Sequence, residues 1–123
     1  MSKRVIVAGL EPPLVDFAKT SPSFNPLTLV AALNDQVAAL AEAGYAASIL
    51  YLDTGETAEA VLAQAIAEEK PDCICIGAGV RNNPAYFLLF EKLVNVIHAK
   101  APAAKLCFNT GPGDTMEAVR RWI

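Results

Sequence analysis

An α/β three-layer sandwich is the fold this sequence predicts, with four parallel strands in the order 2-1-3-4 and helices on both faces. Three observations carry it. Runs of β-branched and apolar residues recur at 4–9, 47–53, 73–79 and 105–111, and near-continuous apolar runs mark strands buried on both faces. Between them lie segments with apolar residues at helical spacing, the alternation that builds a parallel sheet. Each run also leads into a loop rich in Gly, Asn, Asp or Pro. Parallel strands share a direction, so these loops gather along one edge, where open α/β sheets bind ligands.

The first strand ends at Gly9. Residues 10–25 then carry Pro12, Pro13 and Pro22 among Asp16, Ser21, Ser23 and Asn25. Proline lacks a backbone donor and disfavours helix at the residue before it, so a loop without regular structure is expected. Its length exceeds the roughly 2–6 residues usual for such connections, which marks it as a functional candidate. Leu14, Phe17 and Phe24 are the residues to pin it to the body of the domain.

Asn25-Pro26 reads as N-cap and first helical residue. Leu29, Val30, Leu33, Val37, Leu40 and Ala41 form the inner face, and Gly44 supplies a left-handed stop. After the second strand, Asp53-Thr54-Gly55-Glu56 reads as a capping box opening a helix to about Lys70, with Ala58, Val61, Leu62, Ala65 and Ile66 inward and Pro71 closing it. The third helix opens at Asn83-Pro84, buries Tyr86, Phe90, Leu93, Val94 and Ile97, and ends before Pro102. Phe87, Leu88 and Leu89 widen its apolar surface beyond one stripe, so it is wedged among neighbours or meets another subunit. The last helix starts at Asp114, with Glu117 completing a second capping box, and has Met116, Val119, Trp122 and Ile123 to bury.

Right-handed crossovers place the first helix on one face and the second and third on the other. The terminal helix must fold back beside the first to cover strands 3 and 4. Strand 4 is then an open edge, and unpaired edges invite pairing with a second copy, so a homodimer is an expectation.

Composition narrows the function classes. The chain has 123 residues, enough for one two-sided core. Mean hydropathy is +0.34, yet no apolar run approaches the roughly 18 residues of a membrane span. A net charge of −3 and a pI near 5.0 give no basic stripe for nucleic acid or a membrane surface. The apolar run after Met1-Ser2-Lys3-Arg4 is too short for a secretory signal and meets Glu11-Pro12-Pro13, so a cytoplasmic location is expected. Cys73, Cys75 and Cys107 lie in strands and read as small buried hydrophobes. A metal site would need further ligands, and the lone His98 sits on a distant helix, so none is expected.

The ligand-binding candidates are the polar residues of the carboxyl edge: Glu11 and Asp16 after strand 1, Asp53 and Thr54 after strand 2, Arg81, Asn82 and Asn83 after strand 3, and Asn109 and Thr110 after strand 4. Residues 77–84 are the most informative. Gly77 and Gly79 permit a tight turn, the next helix presents free N–H groups, and Arg81 can clamp a phosphate or carboxylate. The same residues also make a plain strand-to-helix turn with Asn83 as cap, and the full Gly-x-Gly-x-x-Gly fingerprint is absent because position 82 is Asn. Asp53 can meet a ribose hydroxyl or act as a base, or simply cap its own helix. Asn109 and Thr110 can line a pocket, while the Gly and Pro around them build a turn. No Ser or Cys stands predictably near a His, there is no Gly-x-Ser-x-Gly elbow, and no phosphate-binding loop precedes a Lys-[Ser/Thr]. No motif identifies a cofactor, and no catalytic residue is assigned.

Element order and length resemble the flavodoxin-like superfold, which includes response-regulator receiver domains, flavodoxins and cobalamin-binding domains. The resemblance spans the whole chain and implies a fold, not an activity. A receiver would carry an acidic pair where this chain has Ala8-Gly9-Leu10, and a phosphoacceptor Asp where it has Gly77-Ala78-Gly79. Leu10-Glu11-Pro12-Pro13 replaces a flavodoxin's phosphate loop, and the Asp-x-His-x-x-Gly motif of cobalamin-binding domains is absent. Gly77-Ala78-Gly79-Val80-Arg81, Leu89-Phe90-Glu91-Lys92-Leu93-Val94-Asn95 and Phe108-Asn109-Thr110 resemble segments of small stand-alone bacterial proteins of uncharacterised function. That resemblance implies a bacterial, cytosolic protein. The expectation is a non-enzymatic interaction or regulatory module on a receiver-like scaffold lacking phosphotransfer residues. The alternative is a site for a small anionic metabolite or nucleotide at the carboxyl edge, with or without catalysis.

Overall fold

The computed structural model describes residues 2–123. Four strands, β1 (Lys3–Leu10), β2 (Tyr45–Leu52), β3 (Cys73–Ile76) and β4 (Lys105–Phe108), form one all-parallel sheet in the order β2-β1-β3-β4. This is the flavodoxin-like arrangement expected from the sequence. The helices are α1 (Phe17–Thr20), α2 (Pro26–Glu42), α3 (Ala58–Glu69), α4 (Ala78–Arg81), α5 (Phe87–Lys100) and α6 (Thr115–Arg120).

The two cores follow from strand alternation. Ile6, Ala8, Ile74 and Ile76 point to the side where α3 and α5 lie against one another, and meet Leu62, Ile66, Leu93 and Ile97. Val5, Val7, Cys73, Cys75 and Cys107 point to the other side, against Leu29, Leu33 and Leu40 of α2 and Ala118 and Val119 of α6. The terminal helix does fold back beside α2, covering β3 and β4. Each fully buried Leu or Ile stabilises the fold by about 1.5–3 kcal/mol relative to exposure, and β3, buried at every position, is the spine of both cores.

Local chemistry sets the helix ends. Asn25 Oδ1 accepts the Thr28 N–H at 3.0 Å while the Thr28 hydroxyl accepts the Asn25 N–H at 2.8 Å, a reciprocal cap opening α2 with Pro26 in its first position. Gly44 at φ +95° follows the C-cap Ala43, the left-handed stop expected there. α3 ends instead on Lys70, itself left-handed at φ 49°.

Several expectations are corrected. Residues 10–25 are not free of regular structure: a 3₁₀ turn at Pro12–Leu14 leads to α1, which Asp16 caps by accepting the Lys19 N–H. The prolines sit where a missing N–H costs nothing, in a first turn or between elements. α3 starts at Ala58 with Thr57 as N-cap, so Asp53 and Glu56 form no capping box. Nor do Asp114 and Glu117, because the Asp114 carboxylate turns back to Thr110 and Gly111. Asn83 opens a 3₁₀ turn, Pro84–Tyr86, that runs into α5. Leu89 joins the core, whereas Phe87 and Leu88 are 61% and 69% exposed. Trp122 is 57% exposed, not buried.

Candidate functional site

The loops after the four strands line one edge, and the structure sorts the expected site residues along it. Asp53, after β2, is committed to its own loop. Its carboxylate accepts the Thr57 hydroxyl at 2.5 Å and the N–H groups of Gly55 at 3.0 Å, Thr57 at 3.0 Å and Ala58 at 3.1 Å. The Thr57 hydroxyl first, then the Gly55 N–H, hold this carboxyl below its ordinary value. The Thr54 hydroxyl donates to the Glu56 carboxylate, at 3.4 Å. Glu11 is exposed, and its backbone joins the Leu52 carbonyl to the turn that follows.

Arg81 and Asn109 come together at the far end of the edge. Arg81 Nη2 donates to the Asn109 carbonyl at 3.0 Å, and the guanidinium carbon lies 5.8 Å from the centre of the Phe108 ring. Phe108 in turn tilts against Phe90, with 5.7 Å between centroids. Arg81 Nε is buried with no hydrogen-bond partner among the described residues. Asn109 is 2% exposed and engaged at both ends of its amide: its Oδ1 accepts the Ala78 N–H at 3.0 Å, and its Nδ2 donates to the Thr115 hydroxyl at 3.0 Å. One side chain thus ties β4 to the first residues of α4 and α6. Asn83 is buried and caps Ala85, and Asn82, exposed, closes α4. Thr110 donates its hydroxyl and its N–H to Asp114. Asp53 and Asn109 follow the two outer strands, about 14 Å apart at ordinary strand spacing.

Between these ends, where β1 and β3 adjoin, lies a cleft facing α2. This is the switch point of the sheet, since the chain leaves β1 toward β2 on one side and leaves β3 toward β4 on the other. Its floor is Val7, Gly9 and Gly77, its walls include Leu29, Leu33, Ile49 and Tyr51, and Val15 and Ser21 overhang it. Of the expected site residues only Asn109 reaches it. Its cavity volume is about 40 Å³. Among the described residues no carboxylate, amine, guanidinium, imidazole or thiol contributes to its lining. Burial pushes the Tyr51 phenol up from its ordinary value, keeping it neutral.

Sequence reasoning missed Gly9, Ser21 and Tyr51. A signal for Gly9 was present. It continues the inward row Val5, Val7, Gly9, in which a strand buried on both faces would carry a side chain. Among the described residues no group of three or more His, Cys, Asp or Glu is placed to hold a metal, and no helix is long and apolar enough to cross a membrane. No family model matches this chain, and a search of curated proteins gives no match either.

Proposed function

We propose that this chain is a non-enzymatic binding module, a regulatory or interaction domain on a receiver-like scaffold that recognises a molecule at its carboxyl edge without transforming it. One observation carries the reading: among the described residues the cleft at the switch point is lined by no carboxylate, imidazole, amine or thiol, so its two hydroxyls, on Ser21 and Tyr51, have no base in the lining to activate them. The carboxylates and amides of the neighbouring loops support it, because Asp53, Asn109 and Asp114 are occupied in holding their own turns. A thermal-shift screen over nucleotides, sugar phosphates, carboxylates and neutral aromatics, followed by mass spectrometry of every stabilising compound after long incubation, tests this. Recovery of each unchanged agrees with the reading; conversion of any one beyond one equivalent refutes it.

A second reading, an anionic metabolite held at the β4 end, is favoured by the buried, unpartnered Arg81 Nε. Arg81→Ala separates the two. Loss of stabilisation by phosphates or carboxylates in that variant alone supports the anionic ligand. Self-association belongs to the same proposal, with Phe87 and Leu88, both exposed, as its surface. Light scattering of Leu88→Glu beside the parent chain reads it directly, and a strict monomer in both removes it.

A further inference from the structure

We infer that the cleft at the switch point takes a small uncharged molecule with an apolar body of about one aromatic ring and a hydrogen-bonding head. The inference rests on the binding-module reading and names the ligand class.

Glycine 9 is the first observation. Glycine inside a strand weakens it, and is retained where the backbone needs a positive φ, where another group approaches closely, or where a ligand does. Gly9 has no positive φ, and a Cβ built there would meet nothing within 4 Å. By contrast, a Cβ at Gly79 would stand 3.5 Å from a Val15 methyl, and one at Gly77 would stand 3.6 Å from the Ala8 carbonyl. Only the third reason remains for Gly9, whose missing side chain keeps the floor of the cleft open.

The second observation is independent. Ser21 is only 9% exposed, lines the cleft, and its hydroxyl makes no hydrogen bond among the described residues. A hydroxyl with no protein partner at the edge of an apolar cleft is a fit for a ligand's polar head. The third is the charge of the wall. Every other lining group is apolar, backbone or neutral, so an ionised ligand would lose its hydration with no counter-charge in return. The cleft thus selects for neutrality, although the rim near Arg81 is cationic.

Size adds a condition. A cavity of about 40 Å³ is smaller than the roughly 150 Å³ of an apolar cavity that admits benzene. The ligand therefore enters by displacing the overhanging segment that carries Val15 and Ser21. Among the described residues the segment 14–21 makes one hydrogen bond to the domain outside residues 11–24, from the Tyr86 hydroxyl to the Leu14 carbonyl at 3.5 Å, so packing, chiefly of Val15 and Phe17, holds it in place. Val15 and Ser21 then close over the bound ring.

Amide chemical-shift titration of the intact chain with phenol, toluene and benzoate tests the inference. Phenol is expected to give saturable shifts at Gly9, Gly77 and Gly79, with benzoate at least about tenfold weaker at neutral pH. Ser21→Ala should weaken phenol about fivefold while leaving toluene unchanged. Val15→Ala, which enlarges the cavity, should tighten both neutral probes. Gly9→Val should abolish binding, and Gly9→Ala, whose Cβ meets nothing within 4 Å, should weaken it while keeping the fold. Absence of phenol shifts in the cleft, equal binding by benzoate, or undiminished phenol binding by Gly9→Val would each overturn it. Benzoate shifts confined to Arg81 and Asn109 would overturn this inference while leaving a binding function at the edge intact.

Discussion

Removing the Asn109 side chain should cost more than its size implies. Asn109→Ala strands the Ala78 N–H and the Thr115 hydroxyl, each buried and each now paired at 3.0 Å. An orphaned buried donor or acceptor costs about 1–3 kcal/mol, so the two together give about 3 kcal/mol, before any cavity is counted. Against a typical domain stability of about 5–15 kcal/mol this is a large fraction, and it corresponds to a Tm lowered by about 10 °C. Thr115→Val alone removes one acceptor and should cost about 1 kcal/mol, because Asn109 keeps its bond to Ala78. In the double variant the penalties should fall short of their sum by about 1 kcal/mol, since the second change removes a group that the first had already orphaned. Urea denaturation of the four proteins measures this directly. A cost below about 1 kcal/mol for Asn109→Ala, or strict additivity with Thr115→Val, would refute the claim that this amide clamps β4 to α4 and α6.

Other perturbations have equally definite signs. Lys70→Gly should stabilise the protein by about 0.5–1 kcal/mol, because Lys70 occupies a left-handed conformation at φ 49° that glycine adopts without a Cβ penalty; denaturant unfolding reads it. Gly44→Ala should destabilise by about 1 kcal/mol for the converse reason, its φ being +95°. Asp53, whose carboxyl is depressed below 3.8, contributes stability that is present above that value and lost as the pH falls through the folded-state one. The acid limb of the stability–pH curve should therefore be shallower in Asp53→Asn. The three buried thiols should resist a thiol-specific reagent in the native protein and all react once it is unfolded, Cys107 being held up by its contacts with Cys73 and Cys75 and by burial.

Much of the fold was legible because it depends on near neighbours and general chirality. The crossover rule led to the order 2-1-3-4 without any long-range information, and Asn25-Pro26 and Gly44 announced both ends of α2. What escaped depends on partners far away in sequence. The one-turn helix α4 is steadied by Asn109 Oδ1 on the Ala78 N–H, across 31 residues that no local pattern connects. Asp53 was expected to cap its helix, and it does bind the Ala58 N–H, but the chain makes an extra loop in which Thr57 takes the capping position. Periodicity alone put Leu89 with Phe87 and Leu88. The 3₁₀ turn before α5 rotates the helix so that Leu89 faces inward and the other two outward. Among the site candidates, Arg81 and Asn109 were brought to one place by the parallel sheet. The cleft itself was hidden because it is defined by a missing side chain.

That β1 sits in the middle of the sheet has a kinetic consequence. Its partners on one flank arrive 68 residues later in the chain, as where the Arg4 N–H meets Asp72. With no hairpin to seed pairing, the ribbon formed by β1, α2 and β2 must assemble first and wait with an incomplete flank. During synthesis or refolding that interval is when a like flank from another molecule competes for the position β3 will occupy. Refolding yield should accordingly fall as protein concentration rises, even though the finished sheet leaves β1 paired on both sides.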